Sequence, residues 1–183
     1  LIEGNAKPEQ HEIVSDATAT SRAQKAMMES LRNTLVRLRP QNIEELGLEA
    51  SLRQLISDHN SQTSARTSFT LDIVGRITEL QKRVAVDLYR IAQECLTNAC
   101  KHGNPSEVLM RIERVFEGGD HIELTVEDDG GGDVARFNTA GGHGLLGIRE
   151  RLSSLGGQLS IANAAHGIRV SAIIPLSRSE AYA

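Results

Sequence analysis

At 183 residues the chain is long enough for one ordinary domain and an appendage, and 39% apolar with 24% charged residues is globular rather than disordered composition. Twenty Lys and Arg against 24 Asp and Glu give a net charge of −4 with no long basic block, and aromatics are 3% with no Trp. That balance argues against a nucleic-acid partner, a membrane contact or a base-stacking platform.

Several further features bound the problem. Cys95 and Cys100 fall five apart on one predicted helix, which makes neither a C-x-x-C redox pair nor a zinc site. Both are expected as buried free thiols in a reducing, cytoplasmic compartment. No apolar run approaches the ~20 residues needed to span a bilayer, and there is no signal peptide. Leu1 stands where a Met would open a complete chain, so the chain is expected to be part of something longer.

Leu1–Gly4 reads as the end of an element and Asn5 to Gln10 as a polar loop. From His11 to Arg39 a long helix is expected, with Ile13, Ala17, Met27, Leu31, Leu35 and Leu38 as a bundle seam and Pro40 as its stop. A second helix is expected over Leu48–Asn60, with Leu48, Leu52, Leu55, Ile56 and His59 inside. Phe69, Leu71 and Ile73 alternate with Thr70 and Asp72, a half-buried strand ended by Gly75.

Thr78-Glu79-Leu80-Gln81 reads as a capping box opening a third helix with the stripe Leu80, Val84, Leu88, Ile91, Cys95, Ala99. Gly103-Asn104-Pro105 ends it. Val108/Met110/Ile112 and Ile122/Leu124/Val126 are two strands joined through Glu117–Asp120. A helix over Gly144–Leu155, closed by Gly156-Gly157, precedes a last hairpin of Leu159/Ile161 with Ile168/Val170/Ala172/Ile174, ended by Pro175. Interspersed helices and hairpins imply an α/β two-layer sandwich, a mixed and largely antiparallel sheet with helices on one face.

Three stretches carry chemistry. On the third helix Glu94, Asn98 and Lys101 stand at i, i+4 and i+7, one row of carboxylate, carboxamide and ammonium. Alone, this row is better explained as a solvated helix face. Glu127-Asp128-Asp129-Gly130-Gly131-Gly132 ends a strand, where a carboxylate can accept from an exocyclic amine and glycines admit a flat ligand. Alone, it is an acidic turn. Gly142-His143-Gly144-Leu145 runs into a helix start, whose free N–H groups attract anions. Alone, it is a loop and a capped helix. His59, His121 and His166 read as structural or turn residues, and no two histidines have metal-ligand spacing.

In this order, E-x-x-x-N on a helix, D-x-G-x-G after a strand and G-x-G-L before a helix resemble the GHKL (Bergerat-fold) ATPases, in particular the catalytic domain of sensor histidine kinases. Gln93–His102, Asp128-Asp129-Gly130 and Gly142–Arg151 look like the NarX/UhpB/DesK-type subgroup, as does Leu38-Arg39-Pro40 followed by Leu46–Leu52.

The resemblance implies a division into 1–39, the second dimerisation helix, and 40–183, the ATP-binding catalytic domain. It implies ATP and Mg²⁺ as ligands, a response-regulator partner and a homodimer formed through the N-terminal helix. Asn98 would ligate Mg²⁺ and Glu94 would polarise a metal-bound water or act as base. Lys101 and His102 would contact phosphates. Asp128 would read the adenine amine, with Gly130 and Gly132 shaping its pocket. Gly142, His143, Gly144 and Leu145 would form the end of a short lid and the phosphate-facing helix start.

Three departures stand out. His11-Glu12 lacks the Arg-rich lead-in of the family's phospho-acceptor, so the acceptor is expected upstream and this chain is not expected to phosphorylate itself. The closing G-x-G-T reads Ala165-His166-Gly167-Ile168, and loss of the Thr hydroxyl is expected to weaken nucleotide affinity. Gly131 stands where the subgroup commonly has Arg. Two rivals are an anti-sigma-factor-type serine kinase, disfavoured by the long first helix, and a degenerate nucleotide-sensing module, disfavoured by intact Glu94, Asn98 and Asp128.

Overall fold

Alternating apolar residues build one sheet, and three amphipathic helices cover it. The computed structural model describes residues 43–62, 66–102, 104–131, 134 and 143–176. The expected helix over 11–39 and His11 lie outside the described residues. The elements are α1 Ile43–Leu46, α2 Leu48–Gln62, β1 Ser68–Val74, α3 Lys82–His102, β2 Glu107–Val115, β3 His121–Asp128, α4 His143–Ser154, β4 Gln158–Asn163 and β5 Ile168–Pro175.

The five strands run in the order β1-β2-β3-β5-β4. β1 pairs parallel with β2, and the other three pairings are antiparallel. The parallel pair follows from its connection: α3 crosses over the sheet between β1 and β2, a route a tight hairpin cannot take. α2 packs on β1, α3 on β2 and β3, and α4 on β4 and β5. This is the mixed two-layer sandwich expected of the sequence.

Period-2 patterning sends Val108, Met110 and Ile112 of β2, Ile122, Leu124 and Val126 of β3, and Ile168, Val170, Ala172 and Ile174 of β5 into the core. Their register agrees: Ile112 lies opposite Leu124, and Leu124 opposite Ala172. From the helix side come Leu52, Leu55, Leu88, Ile91, Leu96, Ile148 and Leu152, all buried. Each such side chain contributes about 1.5–3 kcal/mol relative to exposure.

Two local expectations change. α3 begins at Lys82, not at Thr78: residues 78–80 form a turn, and the Gln81 carbonyl accepts the first bond from Ala85 N–H at 2.9 Å. Ile77 and Leu80 are buried in the core, which holds the turn against the sheet and delays the helix. Cys95 is buried as expected, with desolvation pushing its thiol up to about 12, whereas Cys100 is exposed. Five residues along a helix rotate the side chain by about 140°, so the two cannot share a face.

Candidate nucleotide site

The topology gathers the three motifs at one end of the sheet. α3 ends where β2 begins, and Val108 at the start of β2 pairs with Asp128 at the end of β3. Next to it, Glu127 pairs with Arg169 at the start of β5. The C-terminal turns of α3, the tip of β3 and the entry of β5 are therefore neighbours, although up to about 75 residues separate them in sequence.

α4 lies antiparallel along α3. Arg83 donates to the Ser154 carbonyl at 3.1 Å and Arg151 to Asp87 at 3.1 Å, and further along α3 the Glu94 carboxylate abuts Gly144. An ideal Cβ on Gly144 would stand 2.1 Å from Glu94 Oε1 and 2.8 Å from its Cδ. Glu94 thus occupies space that a side chain at 144 would need, at the first turn of α4. Asn98 and Lys101 lie one and two turns farther along α3.

The row Glu94, Asn98, Lys101 is graded by the sheet beneath it. Glu94 is half-buried, Asn98 only 7% exposed and Lys101 exposed. The Asn98 carboxamide has no hydrogen-bond partner among the described residues. Buried polar groups are nearly always partnered, so an unpartnered carboxamide beside an acidic and a basic side chain fits an oxygen ligand to a hard cation.

Asp128 is buried at the tip of β3. Gly130 N–H donates to its Oδ1 at 3.0 Å, and the Ile168 N–H lies near enough to favour the ionised carboxylate. Burial raises the pKa of the Asp128 carboxyl, and the two N–H groups oppose that rise. Gly167 completes the cradle. Its φ is +96°, and a Cβ there would meet the Asp128 carbonyl oxygen at 2.1 Å and Oδ1 at 2.7 Å. Asp129, the next residue, is exposed and accepts both Ser106 and Glu107 N–H groups at 2.8 Å, plus the Ser106 hydroxyl. These bonds hold its carboxyl below the usual carboxylate range.

Of the residues singled out in the sequence, Glu94 and Gly144 meet each other, Asn98 and Lys101 continue the Glu94 row, and Asp128 and Gly130 meet at the neighbouring strand tip. Leu145 is half-buried on α4 and packs against the core. Gly132, Gly142 and the side chains of His102 and His143 lie outside the described residues, as does most of the lid, 132–142. Sequence reasoning missed the cradling role of Gly167 and Ile168 and the Ser106–Asp129 bonds. Ile168, which lacks the Thr hydroxyl, buries its side chain in the core, with its N–H near the Asp128 carboxylate. At Gly131, a Cβ would meet nothing within 4 Å, so no crowding accounts for the glycine.

Comparison with known proteins agrees with this geometry. Residues 83–178 match the family described as histidine kinase-, DNA gyrase B-, and HSP90-like ATPase. Over 147 residues the chain is 35% identical to the signal transduction histidine-protein kinase/phosphatase UhpB of Salmonella typhimurium, covering 80% of this chain and 28% of UhpB. It is 37% identical over 134 residues to the sensor histidine kinase ComP of Bacillus subtilis, covering 71% of this chain and 16% of ComP. It thus spans well under half the length of the curated relatives it matches. Its fold is similar to the histidine kinase domain of the blue-light activated histidine kinase of Erythrobacter litoralis EL346, with a TM-score of 0.57, 23% identity, and coverage of 73% and 63% of the two chains. The three motifs, the strand order that unites them and these likenesses lead to one conclusion: the chain belongs to the histidine kinase-, DNA gyrase B- and HSP90-like ATPase family, among the sensor histidine kinases of the NarX/UhpB/DesK type.

Proposed function

We propose that residues 40–183 bind ATP–Mg²⁺ as the catalytic domain of a two-component sensor histidine kinase, and that 1–39 supply its second dimerisation helix. The intact protein works as a cytoplasmic homodimeric kinase that passes the ATP γ-phosphoryl to a histidine and thence to a response-regulator aspartate. The observation carrying this reading is Asn98, a buried carboxamide without a protein partner among the described residues. Leaving such a group unsatisfied costs about 1–3 kcal/mol, which a ligand would recover.

Each residue then has a defined task. Asp128 accepts a hydrogen bond from the adenine amine, oriented for it by the N–H group of Gly130. Asn98 offers its side-chain oxygen to Mg²⁺, and Lys101 and His102 place positive charge or donors beside the phosphates. Mg²⁺, when bound, supplies neutralisation of the phosphate oxygens. Glu94, beside the α4 start, orients a water or takes the proton of the attacking histidine. Gly142, His143, Gly144 and Leu145 supply the end of the lid and the phosphate-facing helix start, and Gly132 shapes the adenine side. Phosphoryl transfer depends on positioning and charge stabilisation, and these residues supply both.

The test is a titration with a fluorescent ATP analogue and Mg²⁺. The wild-type chain should bind, and Asp128→Ala should lose binding; an unchanged affinity would overturn the adenine assignment. With labelled ATP and a separate histidine-bearing helical bundle, label should pass to the bundle. Binding without transfer would instead favour a nucleotide-sensing module.

A further inference from the structure

Asp128 and Asp129 are adjacent carboxylates with different surroundings. Asp128 is buried among the core residues at the tip of β3, while Asp129 is exposed. Oδ1 of Asp129 accepts the N–H groups of Ser106 and Glu107, each at 2.8 Å, and Oδ2 accepts the Ser106 hydroxyl. The backbone closes the same junction, since Asp129 N–H donates to the Glu107 carbonyl at 3.2 Å. Three donors already occupy the Asp129 carboxylate.

What it grips matters. Asn104-Pro105-Ser106 is the exit of α3, only a few residues beyond Lys101 and His102. Asn104 has a φ of 45°, an uncommon conformation for a non-glycine residue that turns the chain sharply here. The same exit is held from its other side, where Ser68 N–H donates to the Ser106 carbonyl and the Thr67 hydroxyl to the Pro105 carbonyl, both at 2.8 Å. The Asp129 carboxylate therefore ties the strand tip bearing Asp128 and Gly130 to the helix end bearing Lys101.

We propose that Asp129 is a positioning residue that fixes the span between the adenine-reading carboxylate and the phosphate-facing end of α3, so that a nucleotide held at both ends meets a preset distance. The inference rests on the nucleotide reading above. It distinguishes ligands by length: adenosine touches the Asp128 end alone, whereas ATP must reach both. A plain surface staple would instead change stability and leave the ratio of the two affinities alone. Groups that orient a ligand-binding residue without touching the ligand commonly matter by about 10–100-fold.

The experiment measures binding of ATP with Mg²⁺, and of adenosine, to the full chain by displacement of a fluorescent ATP analogue, alongside thermal melts. Asp129→Ala should weaken ATP at least about tenfold while changing adenosine by less than about twofold. Asp129→Asn keeps an oxygen acceptor for the Ser106 and Glu107 N–H groups, so it should fold and recover most of the ATP affinity. Wild-type ATP affinity in Asp129→Ala, equal losses for ATP and adenosine, or an Asn variant as weak as the Ala variant would overturn the inference. Asp128→Ala is the control. If it binds ATP normally the adenine assignment itself fails and this inference with it, whereas a non-binding Asp128→Ala beside a normal Asp129→Ala removes the inference alone.

Discussion

Two glycines lie against Glu94 and Asp128, the two carboxylates of the proposed nucleotide site, in physically different ways. Gly144 faces the far end of a flexible side chain, Glu94. A methyl group there can be accommodated by swinging the carboxylate, so Gly144→Ala should cost less than about 1 kcal/mol of stability. A misplacement near 1 Å costs about 100-fold in rate, so phosphoryl transfer should drop by about that factor with a smaller change in KM. Gly167 faces the Asp128 backbone carbonyl and needs its positive φ, so nothing flexible can yield. Gly167→Ala should lower both the melting temperature and ATP affinity. Equal behaviour of the two variants in parallel melts and transfer assays would contradict this distinction.

Asp128 also carries a pH dependence. Burial raises its pKa, and the proposed adenine contact requires the ionised form. On acidification ATP affinity should therefore begin to fall at a pH above the usual aspartate range. Stability runs the other way: a pKa higher in the folded than in the unfolded state favours folding at low pH, and this contribution is lost as pH rises through the folded value. At neutral pH Asp128→Asn should accordingly keep or raise the melting temperature of the nucleotide-free protein while weakening ATP. Titrations and melts from neutral pH down to pH 4 check both signs.

At the scale of elements, periodicity was a reliable guide where a stripe was long. Every member of the stripe Leu80, Val84, Leu88, Ile91, Cys95 and Ala99 is buried. Element ends were less legible. Thr78-Glu79-Leu80-Gln81 matches a capping pattern, yet buried Ile77 and Leu80 keep that stretch in a turn. The end of α4 was legible because its chemistry is local. Gly156, with φ 68°, takes the left-handed position, and Gly157 N–H bonds the Leu152 carbonyl at 2.7 Å. A Cβ on Gly157 would stand 2.5 Å from the Ile173 carbonyl oxygen, which belongs to the sheet and cannot swing aside. Gly157→Ala should therefore destabilise by about 1–3 kcal/mol, read as a lowered denaturation midpoint with ATP affinity of the folded protein retained.

For the molecule as a whole, the sequence by itself determined the strands of the described residues and their helices apart from the short α1, their apolar faces, the two-layer class and the family. Alternation and 3.6-residue stripes are local consequences of which side must leave water, and the motifs Gln93–His102, Asp128–Gly130 and Gly142–Arg151 are contiguous. Only the tertiary structure decided that β1 runs parallel to β2, that β5 lies between β3 and β4, and that Cys100 is exposed. It alone revealed that Gly167 packs against Asp128 and that Ser106 is bonded to Asp129. Those partners are 39 and 23 residues apart, and spacing along a chain carries no record of which distant groups are brought into contact. Burial of the strand faces fixes that register, and with it the span of the site.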